Sequence, residues 1–319
     1  MPTADVTPYL HFSVDDVFGC LRDAFTGAYA SPFAQPTFAY LRDLHERHGL
    51  CVSLYCFAED RPERGTEGRS TEGPGRGSLG SSAAGWRLAH ADGRFADEFA
   101  AAPWLRFGFH ALNAGTRYSA GATPAEVARA HHDEVTDAIV RFATSAALDR
   151  APRLHYYTGS LAAVRAMAAS PHGLLGLLTA DDDRAEVYHL DDETRRRVRA
   201  EGSLGDPTTG LRLFSTDLRL ERFEQDVGEI VAVAGRRAAL VGREPLPTKP
   251  SSVRTGAATV RAGPMAHSAP GVRPVPGARA FTHEQYLVEA RVKDRLERLA
   301  REWNALGWRT GFPLDETAK

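Results

Sequence analysis

Short apolar segments alternate with amphipathic segments along most of the chain. Seven apolar segments have the length of β-strands, and we predict strands at residues 9–14, 50–57, 105–110, 153–157, 173–180, 211–216 and 278–282. Between them, apolar residues recur at helical spacing, which predicts helices at 37–48, 95–102, 124–143, 161–169, 222–234 and 285–306. Strands that alternate with helices in this way favour a parallel sheet or a barrel.

The helix predicted at 124–143 has the clearest start signal in the sequence. Thr123 and Glu126 have the spacing of a capping box, in which each side chain bonds a backbone N–H at the helix start. Pro124 suits the first helical position because its fixed φ angle is already helical. We therefore expect the Thr123 hydroxyl to cap this helix.

Two stretches interrupt the alternation, at about residues 60–84 and 235–277. Both are rich in Gly, Pro, Ser and Arg and contain too little apolar surface to fold, so we interpret them as flexible, disordered insertions. The rest of residues 1–319 is predicted to form a single α/β domain. Seven strand–helix units predict a distorted (β/α)7 barrel.

Composition and charge are those of an ordinary globular protein. Of 319 residues, 43% are hydrophobic and 25% charged, and the formal net charge of −2 argues against a nucleic-acid surface or an anionic-membrane patch. No segment approaches the roughly 18 apolar residues that cross a bilayer, and the first residues lack a signal-peptide pattern. The expected location is cytoplasmic, with neither nucleic acid nor membrane as partner.

The three cysteines, Cys20, Cys51 and Cys56, form no CxxC pair, and their number is odd. We expect them to be buried, reduced thiols, which agrees with a reducing compartment.

Polar groups follow six of the predicted strands. These residues are Asp15 and Asp16, His110, His155, Asp181 to Asp183, Asp217, and His283. In a parallel barrel the carboxyl ends of all strands lie on one face, so residues far apart in sequence converge there. Carboxylates and imidazoles at one mouth suit a divalent metal ion that activates water.

Each of these residues also has a purely structural interpretation. An Asp pair after a strand is typical of a helix N-cap, and a histidine in an apolar strand, such as His110, is commonly a buried core residue. Residues 181–183 are compatible with a solvated turn. The shared position at strand ends, and no single residue, therefore carries the prediction.

Several segments together resemble the polysaccharide deacetylases, the NodB-homology family. YLHFSVDDV resembles the first motif of this family, FGFHALN the second, and ARAFTHEQYL the last, while RLHYYTGS occupies the place of the third. LLTADDDR and LFSTDLRLE, in between, are similar to an atypical branch of the family. The resemblance covers most of the chain outside the insertions. It implies a barrel of the glycoside hydrolase and deacetylase type, and metal-dependent deacetylation of an N-acetylated carbohydrate.

The resemblance also implies residue roles. Asp16 and His110 would be ligands of a divalent ion, expected to be zinc. Asp15 would be the general base, His283 the general acid, and Arg153 would orient the base.

The chain departs from the family pattern at the second motif. The family has a second histidine four residues after the first, and here that position is Ala114. We expect His155 to be the third ligand instead, with Asn113 as a weaker alternative. The first motif also has Val17 in place of a glycine.

Asp181, Asp182 and Asp217 are predicted to bind the substrate, which is expected to be a small molecule or an oligosaccharide. A carboxylate beside His283 would keep it protonated, and Asp217 or Asp181 is expected in that place.

Two other functions remain open at this point. A glycosidase could use two carboxylates, Asp15 or Asp16 with one of Asp181, Asp182 and Asp183. The missing second histidine favours a third possibility, a non-catalytic carbohydrate-binding barrel that has lost a metal ligand.

Overall fold

The computed structural model describes residues 8–60, 85–241 and 277–317. The strands in these segments are β1 (Tyr9–Val17), β2 (Val52–Phe57), β3 (Leu105–Ala111), β4 (Leu148–Asp149), β5 (Gly176–Leu178), β6 (Ser203–Gly205), β7 (Arg212–Phe214), β8 (Leu218–Arg219), β9 (Gly277–His283) and β10 (Arg309–Thr310). The α-helices are α1 (Gly19–Thr26), α2 (Pro36–His48), α3 (Ala96–Ala100), α4 (Ala125–Ala143), α5 (Leu161–Ala168), α6 (Asp192–Glu201), α7 (Val227–Val241), α8 (Ala290–Ala305) and α9 (Pro313–Thr317).

The larger sheet is parallel and has β1 near its centre. Its strand order is β4-β3-β2-β1-β9-β8, and β10 pairs with the first residues of β1. A smaller sheet has the order β5-β7-β6, in which β5 is parallel and β6 antiparallel to β7. The mostly parallel α/β architecture is therefore confirmed, while the (β/α)7 barrel stays a prediction.

Backbone hydrogen bonds connect the two sheets just after β4. The Gly176 N–H donates to the Arg150 carbonyl, and the Leu178 N–H donates to the Pro152 carbonyl. The segment after β4 thus lies beside β5, which brings residues 153–157 to the same region as the ends of β1 and β3.

The sequence of β1 explains how the site is placed. Successive side chains of a strand point to opposite faces. Leu10, Phe12 and Val14 belong to the main hydrophobic core, whereas the alternate residues Ser13 and Asp15 accept hydrogen bonds from a buried arginine. One face of β1 therefore packs against the apolar core and the other supplies polar groups.

Amphipathic helices cover the sheet, as their spacing predicts. In α8, the buried residues Val292, Leu296, Leu299 and Trp303 recur at three- and four-residue intervals. Among the described residues, no helix combines the length and the apolar character needed to cross a bilayer. Cys20 and Cys56 are buried free thiols, as predicted, and Cys51 is half-buried.

The predicted capping box is wrong. Helix α4 begins at Ala125, its N-cap is Pro124, and no side chain caps it. The Thr123 hydroxyl instead donates to the Arg117 carbonyl at 2.6 Å, because the preceding loop folds back on itself.

Two predicted elements need different bounds. The strand predicted at 153–157 is wrong: β4 ends at Asp149, and His155–Tyr157 is a turn of 3-10 helix in which Tyr156 has φ 56° and ψ 8°. The helix predicted at 222–234 runs instead over Val227–Val241, so the first residues assigned to the second insertion are helical. Gly277, the last residue of that insertion, begins β9. Residues 242–276, and residues 61–84 of the first insertion, lie outside the described residues.

Candidate metal centre

Asp15 and Asp16 are neighbours in sequence with different backbone conformations. The pairing of β1 with β2 shifts register between Val14 and Val17, and Asp16 has φ 59°, in the left-handed region. Residues other than glycine seldom adopt this region, although aspartate tolerates it better than most. The irregularity turns Asp16 away from the direction that a regular strand would give it, while Asp15 stays in register with His283 of β9.

Asp16, His110 and His155 meet at this point. Asp16 Oδ1 lies 3.1 Å from His110 Nε2 and 3.3 Å from His155 Nδ1, and the two nitrogens are 3.1 Å apart. These three donor atoms form a group of metal-ligand geometry in the described part of the chain. A carboxylate with two imidazoles is a ligand set typical of zinc and of other first-row divalent ions.

The outer ring nitrogens determine the tautomers of both histidines. His110 Nδ1 lies 2.5 Å from the Arg153 carbonyl, and His155 Nε2 lies 3.1 Å from the Ala114 carbonyl. A carbonyl can only accept, so these nitrogens carry the protons and donate them. When both rings are neutral, His110 Nε2 and His155 Nδ1 present lone pairs to each other and to Asp16, and a shared cation would relieve the repulsion among three acceptors. The residues thus fit a divalent metal ion, and the outer hydrogen bonds are those that commonly orient metal-binding imidazoles.

The surroundings keep Asp16 and His155 in the protonation states that a metal requires. Burial lowers the pKa of His155, which favours the neutral ring. Burial alone would raise the pKa of Asp16, but the close contacts with His110 and His155 and the charge of His283 outweigh it and lower the pKa below its usual range. The Phe57 ring packs 5.2 Å from the His110 ring and 5.0 Å from the His155 ring, on the apolar side of the group.

A buried ion pair adjoins the three donors. Arg153 Nη1 donates to Asp15 Oδ1 at 2.7 Å and to Ser13 Oγ at 3.1 Å, and Nη2 donates to Thr216 Oγ1 at 3.1 Å. Both partners are almost completely buried. Burial would lower the pKa of Arg153, but the Asp15 charge together with the neighbouring Tyr157 and Tyr55 outweighs it, and the pKa is raised. Arg153 thus fixes Asp15 with its side chain and His110 with its carbonyl.

His283 lies at the end of β9 and pairs with Glu221. Its Nδ1 is 2.5 Å from Glu221 Oε1, and Glu221 Oε2 accepts a hydrogen bond from the Thr282 hydroxyl at 2.8 Å. Burial by itself would lower the pKa of His283. The hydrogen bond to Glu221 and the charges of Asp15, Asp16 and Glu221 outweigh burial, and the pKa is raised.

The expectation that Asp217 or Asp181 accompanies His283 is therefore wrong. Asp217 directly precedes β8 and forms a buried ion pair with Arg237 at 2.8 Å. Glu221 was missed because it lies two residues beyond a two-residue strand that the sequence does not reveal. Its signal is its place in LFSTDLRLE: β8 runs parallel to β9, so a residue just past β8 comes close to the end of β9.

The other acidic residues predicted to bind substrate are held by arginines. Asp181 bonds with Arg219 at 2.7 Å and with Arg222 at 3.2 Å, and it also accepts from the Tyr157 hydroxyl. Asp182 bonds with Arg184 at 2.6 Å and with Arg222 at 2.8 Å.

Asn113, the alternative third ligand, faces away from the three donors. Its amide nitrogen donates to Glu59 at 2.8 Å, and its oxygen accepts from the Gly115 N–H at 3.0 Å. His155 is therefore the residue that completes the group.

Glu284 connects the end of β9 to the start of α1. Its carboxylate accepts from the backbone N–H groups of Phe18, Gly19 and Cys20, at 2.8, 2.9 and 2.5 Å. The N-cap residue of α1, Phe18, provides no side-chain cap of its own. Glu284 thus caps a helix that begins three residues after Asp16, and the role was not predicted from the sequence.

No protein-family model matches the chain, and comparison with curated proteins gives no significant match. Function is therefore inferred from the residues and geometry of this site.

Proposed function

We propose that the protein is a metal-dependent hydrolase that removes an acyl group, most simply acetyl, from the nitrogen of an N-acylated carbohydrate. The convergence of three acceptor atoms from Asp16, His110 and His155 carries the proposal, because such a group is unfavourable without a cation. Zinc is the expected ion. The buried carboxylate of Asp15 and the His283–Glu221 pair lie next to this group and supply the two proton-transfer groups that amide hydrolysis needs.

A distorted barrel of the deacetylase type is part of this proposal. The link between Arg150–Pro152 and β5 supports it, because it continues the larger sheet into the smaller one. On the other side, the Arg279 side chain of β9 donates to Ser215 Oγ at 3.2 Å, just after β7. Closure at these two places would bring all strand ends to one mouth.

A bound divalent ion would polarise the acyl carbonyl and lower the pKa of a coordinated water. In the proposed reaction Asp15 accepts a proton from the attacking water. Arg153 holds the Asp15 carboxylate in one orientation, so little reorganisation is required when the proton moves. Asp15 can act as the base and Asp16 as a metal ligand because the irregularity in β1 gives the two side chains different partners.

His283 donates a proton to the leaving nitrogen. Glu221 supports this role because it accepts a hydrogen bond from Nδ1 of His283 and thereby favours the protonated form of the imidazole. The amine leaves slowly unless its nitrogen is protonated. Amide hydrolysis therefore requires a proton donor, here a charged imidazole, next to the leaving nitrogen.

The observed ion pairs favour this reaction over a two-carboxylate glycosidase. The bonds of Asp182 with Arg184 and Arg222 lower its pKa and disfavour a protonated general acid there. The Asp181 carboxylate is occupied by Arg219 and Arg222. His155 occupies the third position of the ligand group, which argues against a barrel that lost its metal through the Ala114 replacement.

Metal analysis combined with an acetate-release assay on N-acetylated sugars tests the proposal. We expect about one equivalent of zinc or a similar ion per chain, acetate release that a chelator abolishes, and loss of both in His155→Ala. His172→Ala is the matched control, since His172 lies away from the site, 3.8 Å from Asp137. Acetate release that survives complete metal removal, or wild-type protein that binds no divalent ion, would contradict the proposal.

A further inference from the structure

Arg117 lies beside the candidate metal centre, separated from it by one aromatic ring. The Arg117 guanidinium carbon is 3.7 Å from the centroid of the Tyr156 ring. The Tyr156 ring centroid is in turn 4.0 Å from that of His155. A cation is therefore presented next to one of the proposed metal ligands.

Arg117 differs from the other arginines on this side of the molecule. Those arginines are matched by carboxylates, in the pairs Arg153 with Asp15, Arg219 with Asp181, Arg184 with Asp182, and Arg222 with Asp182. Within residues 8–60, 85–241 and 277–317, no carboxylate lies within ion-pair distance of Arg117. Its charge is thus available to a ligand.

The loop that carries Arg117 is held by its own hydrogen bonds. Asn113 Oδ1 accepts from the Gly115 N–H and from the Thr116 hydroxyl, each at 3.0 Å. The Thr123 hydroxyl donates to the Arg117 carbonyl at 2.6 Å. The backbone of Arg117 is therefore fixed before any ligand arrives, which reduces the entropy lost on binding.

The position of the Tyr156 ring depends on an unusual backbone. Tyr156 and Tyr157 are consecutive residues in the left-handed region, with φ angles of 56° and 59°. This conformation directs Tyr157 into the core, where its hydroxyl donates to Asp181, and leaves Tyr156 37% exposed. Unfavourable backbone conformations of this kind concentrate at functional sites.

An open cavity of about 390 Å³ lies on the outer side of Arg117. Thr116, Thr123 and His131 contribute to its wall, and the described lining contains no acidic residue. Another cavity, of about 450 Å³, has three aspartates and three arginines in its wall, so its charges are balanced. The cavity beside Arg117 therefore favours an anion, and its volume falls within the usual range of small-ligand pockets.

We propose that Arg117 binds an anionic group, a carboxylate or a phosphate, on the N-acylated substrate of the proposed reaction. One face of the guanidinium packs on Tyr156, and its N–H edges stay available for two parallel hydrogen bonds to an oxyanion. This inference rests on the proposed function for the identity of the substrate, whereas the anion site itself is defined by Arg117 and the cavity.

Direct titration of anions into metal-free protein tests the site without any catalytic activity. Inorganic phosphate and acetate are titrated by calorimetry into chelator-treated wild type, Arg117→Ala and Arg117→Lys. Removal of the metal matters because a bound ion would itself attract anions. We expect Arg117→Ala to weaken binding by about tenfold or more, and Arg117→Lys to lose less, because it retains charge without the bidentate edge.

Arg236→Ala is the control, since Arg236 is an exposed arginine on α7, on a different element. Loss of binding in Arg117→Ala alone would support the proposal. Equal binding in wild type and Arg117→Ala, or no binding in wild type, would overturn it. The relative affinities for phosphate and acetate separate the two sources of the anionic group.

A second assay connects the anion site to turnover. Acetate release by the metal-loaded protein is compared for N-acetylglucosamine, its 6-phosphate and N-acetylmuramic acid, which carries a carboxylate. We expect the wild type to prefer an anionic sugar by about tenfold in kcat/KM, mainly through KM, and the ratio of kcat/KM between anionic and neutral sugar to fall to about one in Arg117→Ala. No release from any of the three would count against the proposed function, and the phosphate titration would still decide the role of Arg117.

Discussion

Asp15 and Asp16 are adjacent residues that contact different partners, because the backbone around them is irregular. Asp15 faces Arg153 inside the sheet, and Asp16, at φ 59°, faces the two histidines. A regular strand would also point them in opposite directions, but it would not bring Asp16 within 3.1 Å of His110. The irregularity in β1 is therefore what allows both carboxylates to serve one site.

Exchange of each carboxylate for its amide should separate these tasks. Asp15→Asn should bind metal like the wild type and lose about 100-fold or more of its turnover, because an amide cannot accept the proton. Asp16→Asn should lose metal, because an amide is a poorer ligand than a carboxylate. Metal content and acetate release of each purified variant give the answer, and equal loss of metal in both would contradict the assignment.

His11 illustrates a residue whose effect on stability depends on pH. It is fully buried, its Nδ1 lies 3.3 Å from the Gly311 carbonyl, and burial together with the charges of Arg153 and Arg279 lowers its pKa to about 3. The ring stays neutral in the folded state, whereas in the unfolded chain it protonates near pH 6.5. Between these two values the unfolded state binds more protons, so stability falls as the pH falls.

We expect His11 to reduce the free energy of unfolding by roughly 2 kcal/mol between pH 7 and pH 5. His11→Gln cannot titrate, so its stability should fall less steeply over that interval, even though it starts lower at pH 7. Urea unfolding at the two pH values measures the slopes, with His90→Gln, an exposed histidine, as the control. The same slope in His11→Gln and wild type would show that His11 is not the group responsible.

The sequence could identify residues that end a long apolar strand, and it failed where the backbone departs from regular structure. Asp15, Asp16, His110 and His283 follow strands whose apolar runs are clear. His155 was also chosen, but for the wrong local reason, since residues 153–157 form a turn and no strand. Glu221 was missed because a two-residue strand carries no periodic signal.

At the scale of secondary structure, the end of β9 organises two elements at once. His283 is its last residue, and Glu284 immediately after it caps α1 through three backbone N–H groups. In the sequence, Glu284 was recognised only as part of the motif ARAFTHEQYL. Its contact with the start of α1 could not be predicted, because a helix cap from a distant residue leaves no pattern in the local sequence.

Glu284→Ala should weaken metal binding as well as stability. The loss of three hydrogen bonds at the start of α1 should cost roughly 1–3 kcal/mol of unfolding free energy. Because α1 begins three residues after Asp16, we also expect metal affinity to fall by about tenfold, comparable to the loss of other groups that orient ligands. Glu284→Gln, which retains one acceptor oxygen, should recover part of both.

The control for this prediction is Gln35→Ala. Gln35 caps α2 by accepting from the Thr37 and Phe38 N–H groups, and it has no contact with the metal ligands. The Gln35→Ala substitution should lower the free energy of unfolding and leave metal affinity unchanged. If Glu284→Ala also leaves metal affinity unchanged when measured well below its melting temperature, Glu284 has a structural role only.

At the scale of the whole molecule, composition and the alternation of elements were sufficient to predict an α/β protein with a mostly parallel sheet. They predicted β5 and β7 of the smaller sheet, within residues 173–180 and 211–216, but not β6, which is antiparallel to β7. Strand β6 has three residues, too few for a side-chain period to be recognised. The same brevity prevented any prediction of β10, which pairs with β1.

Metal binding should stabilise the whole fold, because its ligands come from three separate segments that converge only in the native state. At a free ion concentration of about 100 times Kd, the gain is about 2.7 kcal/mol, which corresponds to an increase of several degrees in Tm. Calorimetric melting with zinc and with a chelator measures the difference. Asp16→Asn should show no such difference, and an equal shift in that variant would place the ion elsewhere.

The pairing of β1 with β9 also has a consequence for biosynthesis. Glu284 and Cys20 are in contact although 264 positions separate them. At typical translation rates of about 5–20 residues per second, the ribosome would need roughly 10 s to 1 min to produce the strand that covers this side of β1. During that interval a buried strand has an exposed edge, which is where aggregation of a nascent chain would begin. Because the two strands are so distant in sequence, we expect the nascent chain to depend on chaperones until β9 has been made.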